Sequence, residues 1–110
     1  TMPFAQYAAL EAYTGDQSSV DAMRAEYAAR RNLLITGLRE MGVDVAMPEG
    51  AFYAFPKLDA ETVSKIVAND VIITPGLAFG SLGEGYARMS YAASQENIKE
   101  ALKRIQQVVE

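Results

Sequence analysis

Residues 71–91 read VIITPGLAFGSLGEGYARMSY and predict two β-strands joined by a glycine-rich loop. The β-branched run at positions 71–74 favours a buried strand, which the Pro75-Gly76 pair would end. Glycines then occupy four of the ten positions 76–85. After this loop, the side chains from Tyr86 to Tyr91 alternate in character with a period of two. That period is typical of a strand with one buried face.

Arg88 is the residue of this stretch that we single out for a functional role. Successive side chains of a strand point to opposite faces of the sheet. The guanidinium group is planar and makes two parallel, charge-assisted hydrogen bonds to a carboxylate. The alternative is a solvated arginine on an exposed strand face, where charged residues are mostly found. One predicted face carries Tyr86, Arg88 and Ser90, and the other, expected to face the core, carries Ala87, Met89 and Tyr91.

The glycine-rich loop does not fit a phosphate-binding loop. It has no Gly-Lys-Ser/Thr ending, and it leads into a strand rather than into the N-terminus of a helix. We interpret it as a structural connection or as a mobile loop at the edge of a cleft.

Upstream of this stretch the pattern is helical. Phe4 to Tyr13 predicts a short helix with Gly15 available to end it, and the linker covers positions 14–18. A long amphipathic helix follows, capped by Ser18 or Ser19 and ended by a left-handed Gly42. Its apolar stripe, at steps of three, four and seven, consists of Val20, Met23, Tyr27, Leu34, Leu38 and Met41.

The remaining segments complete an alternation of helices and strands. Short strands are predicted at Val43–Val45 and Ala51–Phe55, and a helix at Asp59–Val67. In the second of these strands Phe52 and Ala54 share one face, while Tyr53 and Phe55 share the other. Ser94 would cap a last helix that runs to about Val109. The order α, α, β, β, α, β, β, α predicts an α+β, two-layer domain with helices on one face of a small, mostly antiparallel sheet.

Composition excludes several classes of function. The chain has 110 residues, a formal net charge of −4, and no histidine or cysteine. It therefore contains no Ser-His-Asp or Cys-His triad and no zinc site built on His or Cys. The charge argues against nucleic-acid binding, no apolar run is long enough to span a membrane, and no secretory signal is visible, so we expect a cytoplasmic protein. Lys57, Lys65, Lys99 and Lys103 all look like surface lysines rather than nucleophiles.

Three ordered motifs resemble the class I/II aminotransferases that depend on pyridoxal 5'-phosphate (PLP). They are GAFYAFP at 50–56, ITPGLAFG at 73–80 and GEGYARMSYA at 83–92. The match also takes in residues 5–10, the Tyr27-x-x-Arg30-Arg31 pattern and the closing helix. The stretch between Pro56 and Val71 is shorter than in many members of the family, which leaves the element boundaries there open.

The resemblance implies a substrate-binding role. Arg88 would pair with the substrate α-carboxylate, and Phe52 would approach the substrate pocket. No catalytic, cofactor-binding or metal residue of the family falls in these 110 residues. PLP would be bound mainly by a large domain upstream, which also carries the catalytic lysine. The motion of a hinged small domain would then exclude water on substrate binding.

The resemblance also implies how the whole protein is organised. Residues 1–110 would form the C-terminal small domain, with 1–15 joining it to the large domain, and the full-length enzyme would be a homodimer. It would transfer an amino group between an amino acid and a 2-oxo acid, and this chain alone would be inactive. Two alternatives stay open: the small domain of a related PLP enzyme (a C–S lyase or an acyl-transferring type), and a stand-alone, non-catalytic binding module.

Overall fold

The computed structural model describes residues 2–110, so that Thr1 of the predicted joining segment lies outside it. Its elements in chain order are α1 (Pro3–Thr14), α2 (Ser18–Glu40), β1 (Tyr53–Ala54), α3 (Ala60–Ala68), β2 (Thr74–Pro75), β3 (Ala87–Ser90) and α4 (Gln95–Val109). Two 3-10 turns, Gly76–Phe79 and Ser81–Gly83, occupy the glycine-rich segment between β2 and β3.

The three strands form one antiparallel sheet in the order β1-β3-β2. Tyr53 pairs with Ser90 on one side of β3, and Thr74 pairs with Arg88 on the other. The Lys57–Tyr86 bridge continues the first of these registers beyond β1. β3 is therefore the central strand, and both neighbours position side chains beside it.

The helices cover one face of the sheet, which confirms the predicted α+β, two-layer architecture. Ala87, Met89 and Tyr91 are 0%, 4% and 1% exposed, as the alternation along β3 predicts. They pack against buried residues of α2, α3 and α4, among them Ile35, Leu38, Val63, Ile66, Ile98, Leu102 and Ile105. Arg88 consequently lies on the sheet face that the helices leave uncovered.

Side-chain caps begin two of the helices. The Ser94 hydroxyl accepts a hydrogen bond from the Asn97 amide at the start of α4, which confirms the predicted cap. Asp59 precedes α3, and its carboxylate accepts from the amide and hydroxyl of Thr62. These hydrogen bonds hold the pKa of Asp59 below its usual value. At α2 the predicted serine cap is wrong, because Gln17 occupies the cap position without a side-chain bond, while Gly42 has the expected positive φ of 81°.

Two of the predicted strands are wrong or shorter than expected. Val43 and Val45 are buried, but the segment forms no ladder, since its described pairing is a single bond from the Lys57 amide to the Asp44 carbonyl. The 71–74 run is not a buried strand, because β2 begins only at Thr74 and Ile72 is 93% exposed. Asp70 has a positive φ of 60°, which turns the chain sharply between α3 and the sheet.

The N-terminal part of the molecule extends beyond the core. α1 contains no buried residue, and Val20 and Met23 at the start of α2 are also exposed. The predicted stripe of α2 is thus buried only in its second half, at Leu34 and Leu38. Within residues 2–110, no helix is long and apolar enough to cross a membrane.

Candidate functional site

Arg88 lies at the centre of the uncovered face of the sheet. Its backbone pairs with Thr74 of β2, and the register of β1 places Phe55 opposite it on the other side. The side chain is half-buried, although it belongs to the face that points away from the helices.

Two aromatic rings flank the Arg88 guanidinium. Its central carbon, Cζ, lies 4.5 Å from the centroid of the Tyr53 ring and 4.5 Å from that of the Phe79 ring. Tyr53 belongs to β1 and Phe79 to the 3-10 turn that follows β2, so the two rings approach from opposite sides of β3. We call Tyr53 and Phe79 the aromatic pair.

Arg88 differs from the other arginines in having no hydrogen-bonding partner in the described part of the chain. Within residues 2–110 its guanidinium makes neither a hydrogen bond nor an ion pair, although it carries five N–H donors. Each of the other five arginines donates to an oxygen: Arg24 to Asp21, Arg30 to Glu26, Arg31 to the Pro48 carbonyl, Arg39 to the Val45 carbonyl, and Arg104 to Glu100. A half-buried cation without a protein partner is suited to binding an anion from outside the chain.

Further aromatic side chains lie beside the aromatic pair. Phe55 stacks on Tyr86, with ring centroids 5.5 Å apart and planes inclined by 14°. The Phe55 ring also meets the edge of Phe79 at 6.3 Å. These rings are all between one-third and one-half exposed, so they present an apolar surface next to Arg88 on the uncovered face of the sheet.

The backbone of the glycine-rich segment is folded tightly against itself. A Cβ atom on Gly76 would lie 2.1 Å from the Gly83 carbonyl oxygen, and one on Gly83 would lie 2.1 Å from that of Gly76. The Gly76 amide donates to the Tyr86 carbonyl at 2.7 Å, which joins the start of the segment to its end. This closure fixes the position of Phe79 beside Arg88.

The sequence and fold are similar to those of known aminotransferases over nearly the whole chain. The family model described as aminotransferase class I and II matches residues 2–105. The chain belongs to the class I and II aminotransferase family. Members of this family depend on PLP.

Curated relatives and solved structures support the same assignment. An aromatic-amino-acid aminotransferase of Thermococcus litoralis and an aspartate aminotransferase of Pyrococcus abyssi are each 42% identical to it over 96% of this chain and 30% of their own length. The structure of an aromatic aminotransferase from Pyrococcus horikoshii superimposes with a TM-score of 0.87 at 38% identity, covering 96% of this chain and 30% of that one. The chain thus spans about 30% of the length of the relatives it matches.

Phe52, the second predicted substrate-binding residue, lies apart from Arg88 in this aminotransferase chain. Its ring is 6.3 Å from Tyr27 of α2 and 4.4 Å from Tyr53, measured between centroids. Phe52 is therefore connected to Arg88 through the Tyr53 ring. Its role in the substrate pocket stays a prediction.

Sequence reasoning missed the aromatic pair. The alternation along 51–55 places Tyr53 and Phe55 on one face, but it does not say which face is uncovered. Phe79 lies in a 3-10 turn, where neither helical nor strand periodicity assigns a direction to a side chain. The register of β1 and β2 against β3 is the signal that identifies both residues, and it requires the structure.

The lysines of this aminotransferase chain lie on its surface. All four lysines are exposed. Lys65 forms an ion pair with Glu61 at 2.7 Å, which raises its pKa. A lysine that acts as a nucleophile needs the opposite shift. Glu100 pairs with Arg104, and no group of acidic residues among positions 2–110 could hold a metal ion.

Tyr91 anchors the loop that precedes β1. Its ring is buried under the sheet and lies 6.4 Å from Tyr27, and its hydroxyl donates to the Ala51 carbonyl at 3.0 Å. Ala51 has a positive φ of 59°, which is strained for a residue with a Cβ atom. The hydrogen bond therefore holds the residue before Phe52 in a conformation that it would otherwise leave.

Replacing Tyr91 by phenylalanine should lower the free energy of unfolding by about 1 kcal/mol, the usual worth of one hydrogen bond. The substitution should also change how the free energy of unfolding depends on pH in the alkaline range. Burial raises the pKa of the Tyr91 phenol above its usual value, so the unfolded chain releases this proton first as the pH rises. Stability should therefore fall above pH about 10, until the pH passes the raised value. Urea unfolding between pH 8 and 11 tests this, since the Tyr91→Phe variant should fall less steeply; parallel curves would contradict it.

Proposed function

We propose that this chain is the substrate-carboxylate-binding small domain, C-terminal in its protein, of a PLP-dependent aminotransferase. The whole enzyme would transfer an amino group between an amino acid and a 2-oxo acid, and Arg88 would bind the carboxylate that these substrates share. One observation carries the proposal: Arg88 is half-buried at the centre of an uncovered sheet face, and its guanidinium has no hydrogen-bonding or ion-pairing partner among residues 2–110.

The chemistry of Arg88 suits an α-carboxylate. Two parallel N–H donors of the guanidinium match the two oxygens of a carboxylate, and each charge-assisted bond contributes about 1.5–3 kcal/mol. The chain carries a net charge of −4, so attraction of an anion would come from this one site rather than from a general basic surface. The aromatic surface around Arg88 lowers the local polarity and strengthens the pairing.

The PLP site and the catalytic lysine would belong to the large domain. The exposure of all four lysines supports this division, as does the ion pair that raises the pKa of Lys65. By itself the chain would then be catalytically inactive, with Arg88 orienting a substrate whose reacting atoms meet residues of the other domain.

The exposed N-terminal region supports a large-domain partner. α1 and the first turns of α2 present a series of exposed apolar side chains: Phe4, Tyr7, Leu10, Tyr13, Val20 and Met23. Such a surface usually marks an interface. We propose that residues 1–15 join the small domain to the large domain of the same chain, in a cytoplasmic homodimer.

An assay of the full-length protein tests the proposed function. Incubated with PLP, 2-oxoglutarate and either L-aspartate or L-tyrosine, it should form L-glutamate at a rate that depends on both substrates. These two amino donors are chosen because the similar proteins include an aspartate aminotransferase and an aromatic-amino-acid aminotransferase. The 110-residue chain alone is the control and should form none. Release of thiol from L-cystathionine without formation of glutamate would instead identify a C–S lyase. Binding of an amino acid without any turnover would identify a non-catalytic binding module.

A further inference from the structure

The aromatic pair has no role in the core of the domain. Tyr53 is 37% exposed and Phe79 is 50% exposed, and neither belongs to the buried cluster beneath the sheet. Within residues 2–110 the Tyr53 hydroxyl makes no hydrogen bond, and its ring contacts Arg88 on the uncovered face in addition to the neighbouring Phe52 ring. Phe79 has the same contact with Arg88 at the same distance.

We propose that Tyr53 and Phe79 are positioning residues that hold the Arg88 guanidinium in place for the substrate carboxylate. This inference rests on the proposed function of Arg88. The two ring centroids lie 4.5 Å from the central carbon of the guanidinium, Tyr53 on the β1 side of β3 and Phe79 on the β2 side, while the N–H donors of a guanidinium lie in its plane and point outward from its edge. The rings therefore fix the group without using any of the donors that a carboxylate needs.

The need for such positioning follows from the chemistry of arginine. Its side chain has four rotatable bonds before the guanidinium, and an arginine without a hydrogen-bonding partner would sample many conformations in water. Ordering it only when the substrate arrives would weaken binding. Stacking between two rings orders it beforehand and leaves it without the competing carboxylate that an ion pair would bring.

β1 and the glycine-rich segment hold the aromatic pair in fixed positions beside Arg88. Tyr53 lies on the same face as Arg88 and is its diagonal neighbour across the β1–β3 ladder, within reach of an aromatic ring. Phe79 is held by the closure between Gly76 and Gly83. Phe55 and Tyr86 lie nearby but stack on each other, so they do not substitute for the pair.

The experiment measures binding and turnover by the full-length enzyme with leucine in place of each ring. Maleate and 3-phenylpropionate serve as probes, because they are carboxylates without an amino group; 3-phenylpropanamide is the uncharged control. Tyr53→Leu and Phe79→Leu should each weaken binding of the better carboxylate probe by about tenfold. KM should rise by a similar factor with kcat changed less than twofold. Tyr53→Phe and Phe79→Tyr, which keep the ring, should bind like the wild type.

An Arg88→Gln background separates positioning from structural damage. In that background the leucine substitutions should have no further effect on probe binding, because the group they position is gone. An undiminished effect there would overturn the inference, even if a leucine variant also has a lower melting temperature. Leucine variants that bind like wild type, while Arg88→Gln loses binding, would overturn the inference alone. Carboxylate binding that survives Arg88→Gln would overturn the proposed function itself.

Discussion

Replacing Arg88 by lysine should lower kcat/KM for amino transfer by the full-length enzyme by about 30-fold, and replacing it by glutamine by about 100-fold or more. Lysine keeps the positive charge but loses the planar fork that binds both oxygens of a carboxylate. Glutamine loses the charge as well. The loss in the lysine variant therefore measures how much of the binding depends on the geometry of the fork, and the further loss in the glutamine variant measures the contribution of the charge.

The matched control for this experiment is Arg104→Lys. Arg104 is also a partly exposed arginine, but it lies on α4 and donates to Glu100 at 3.0 Å. Its replacement should leave kcat/KM within about twofold of the wild type, since exposed ion pairs contribute little. Equal losses in the Arg88→Lys and Arg104→Lys variants would mean that any replacement of an arginine by lysine in this domain has the effect, and would contradict the assignment of Arg88.

Replacing Gly76 by alanine should lower the free energy of unfolding by about 3 kcal/mol or more, the upper end of overpacking effects. The new Cβ would lie 2.1 Å from the Gly83 carbonyl oxygen and 2.8 Å from that of Tyr86. Both obstacles are backbone atoms, so relief requires movement of the chain rather than of a side chain. Because that movement carries Phe79 with it, binding of carboxylate probes should weaken as well.

Gly50→Ala is the control for this substitution. A Cβ at Gly50 would meet no atom within 4 Å, so this variant should unfold like the wild type. Urea titrations of the two variants give the comparison. A Gly76→Ala variant as stable as Gly50→Ala would show that the glycine-rich segment is not closed as described.

Local sequence pattern was enough to predict those elements in which buried and exposed positions recur with a regular period. The alternation of β3 predicted its buried face, and with it the uncovered side of Arg88. The Ser94 cap and the periodic apolar residues of α4 likewise predicted that helix. In these elements local preference and tertiary packing agree.

Prediction failed where contacts distant in sequence decide the outcome. The 71–74 run has strong β propensity, yet Ile72 is exposed, because the turn at Asp70 and the register with β3 determine which residues pair. The stripe of α2 is apolar throughout, but periodicity does not say what covers its first half. For the same reason Arg88 could be predicted from one strand alone, whereas the aromatic pair depends on two neighbouring strands and a turn.

The most direct test of Arg88 as the carboxylate ligand is a crystal structure of the full-length protein with maleate, a dicarboxylate without an amino group. One carboxylate of maleate should accept two hydrogen bonds from the Arg88 guanidinium at about 2.7–2.9 Å. Tyr53 and Phe79 should remain on either side of the guanidinium. Maleate bound with both carboxylates on other residues, and Arg88 directed into solvent, would contradict the account.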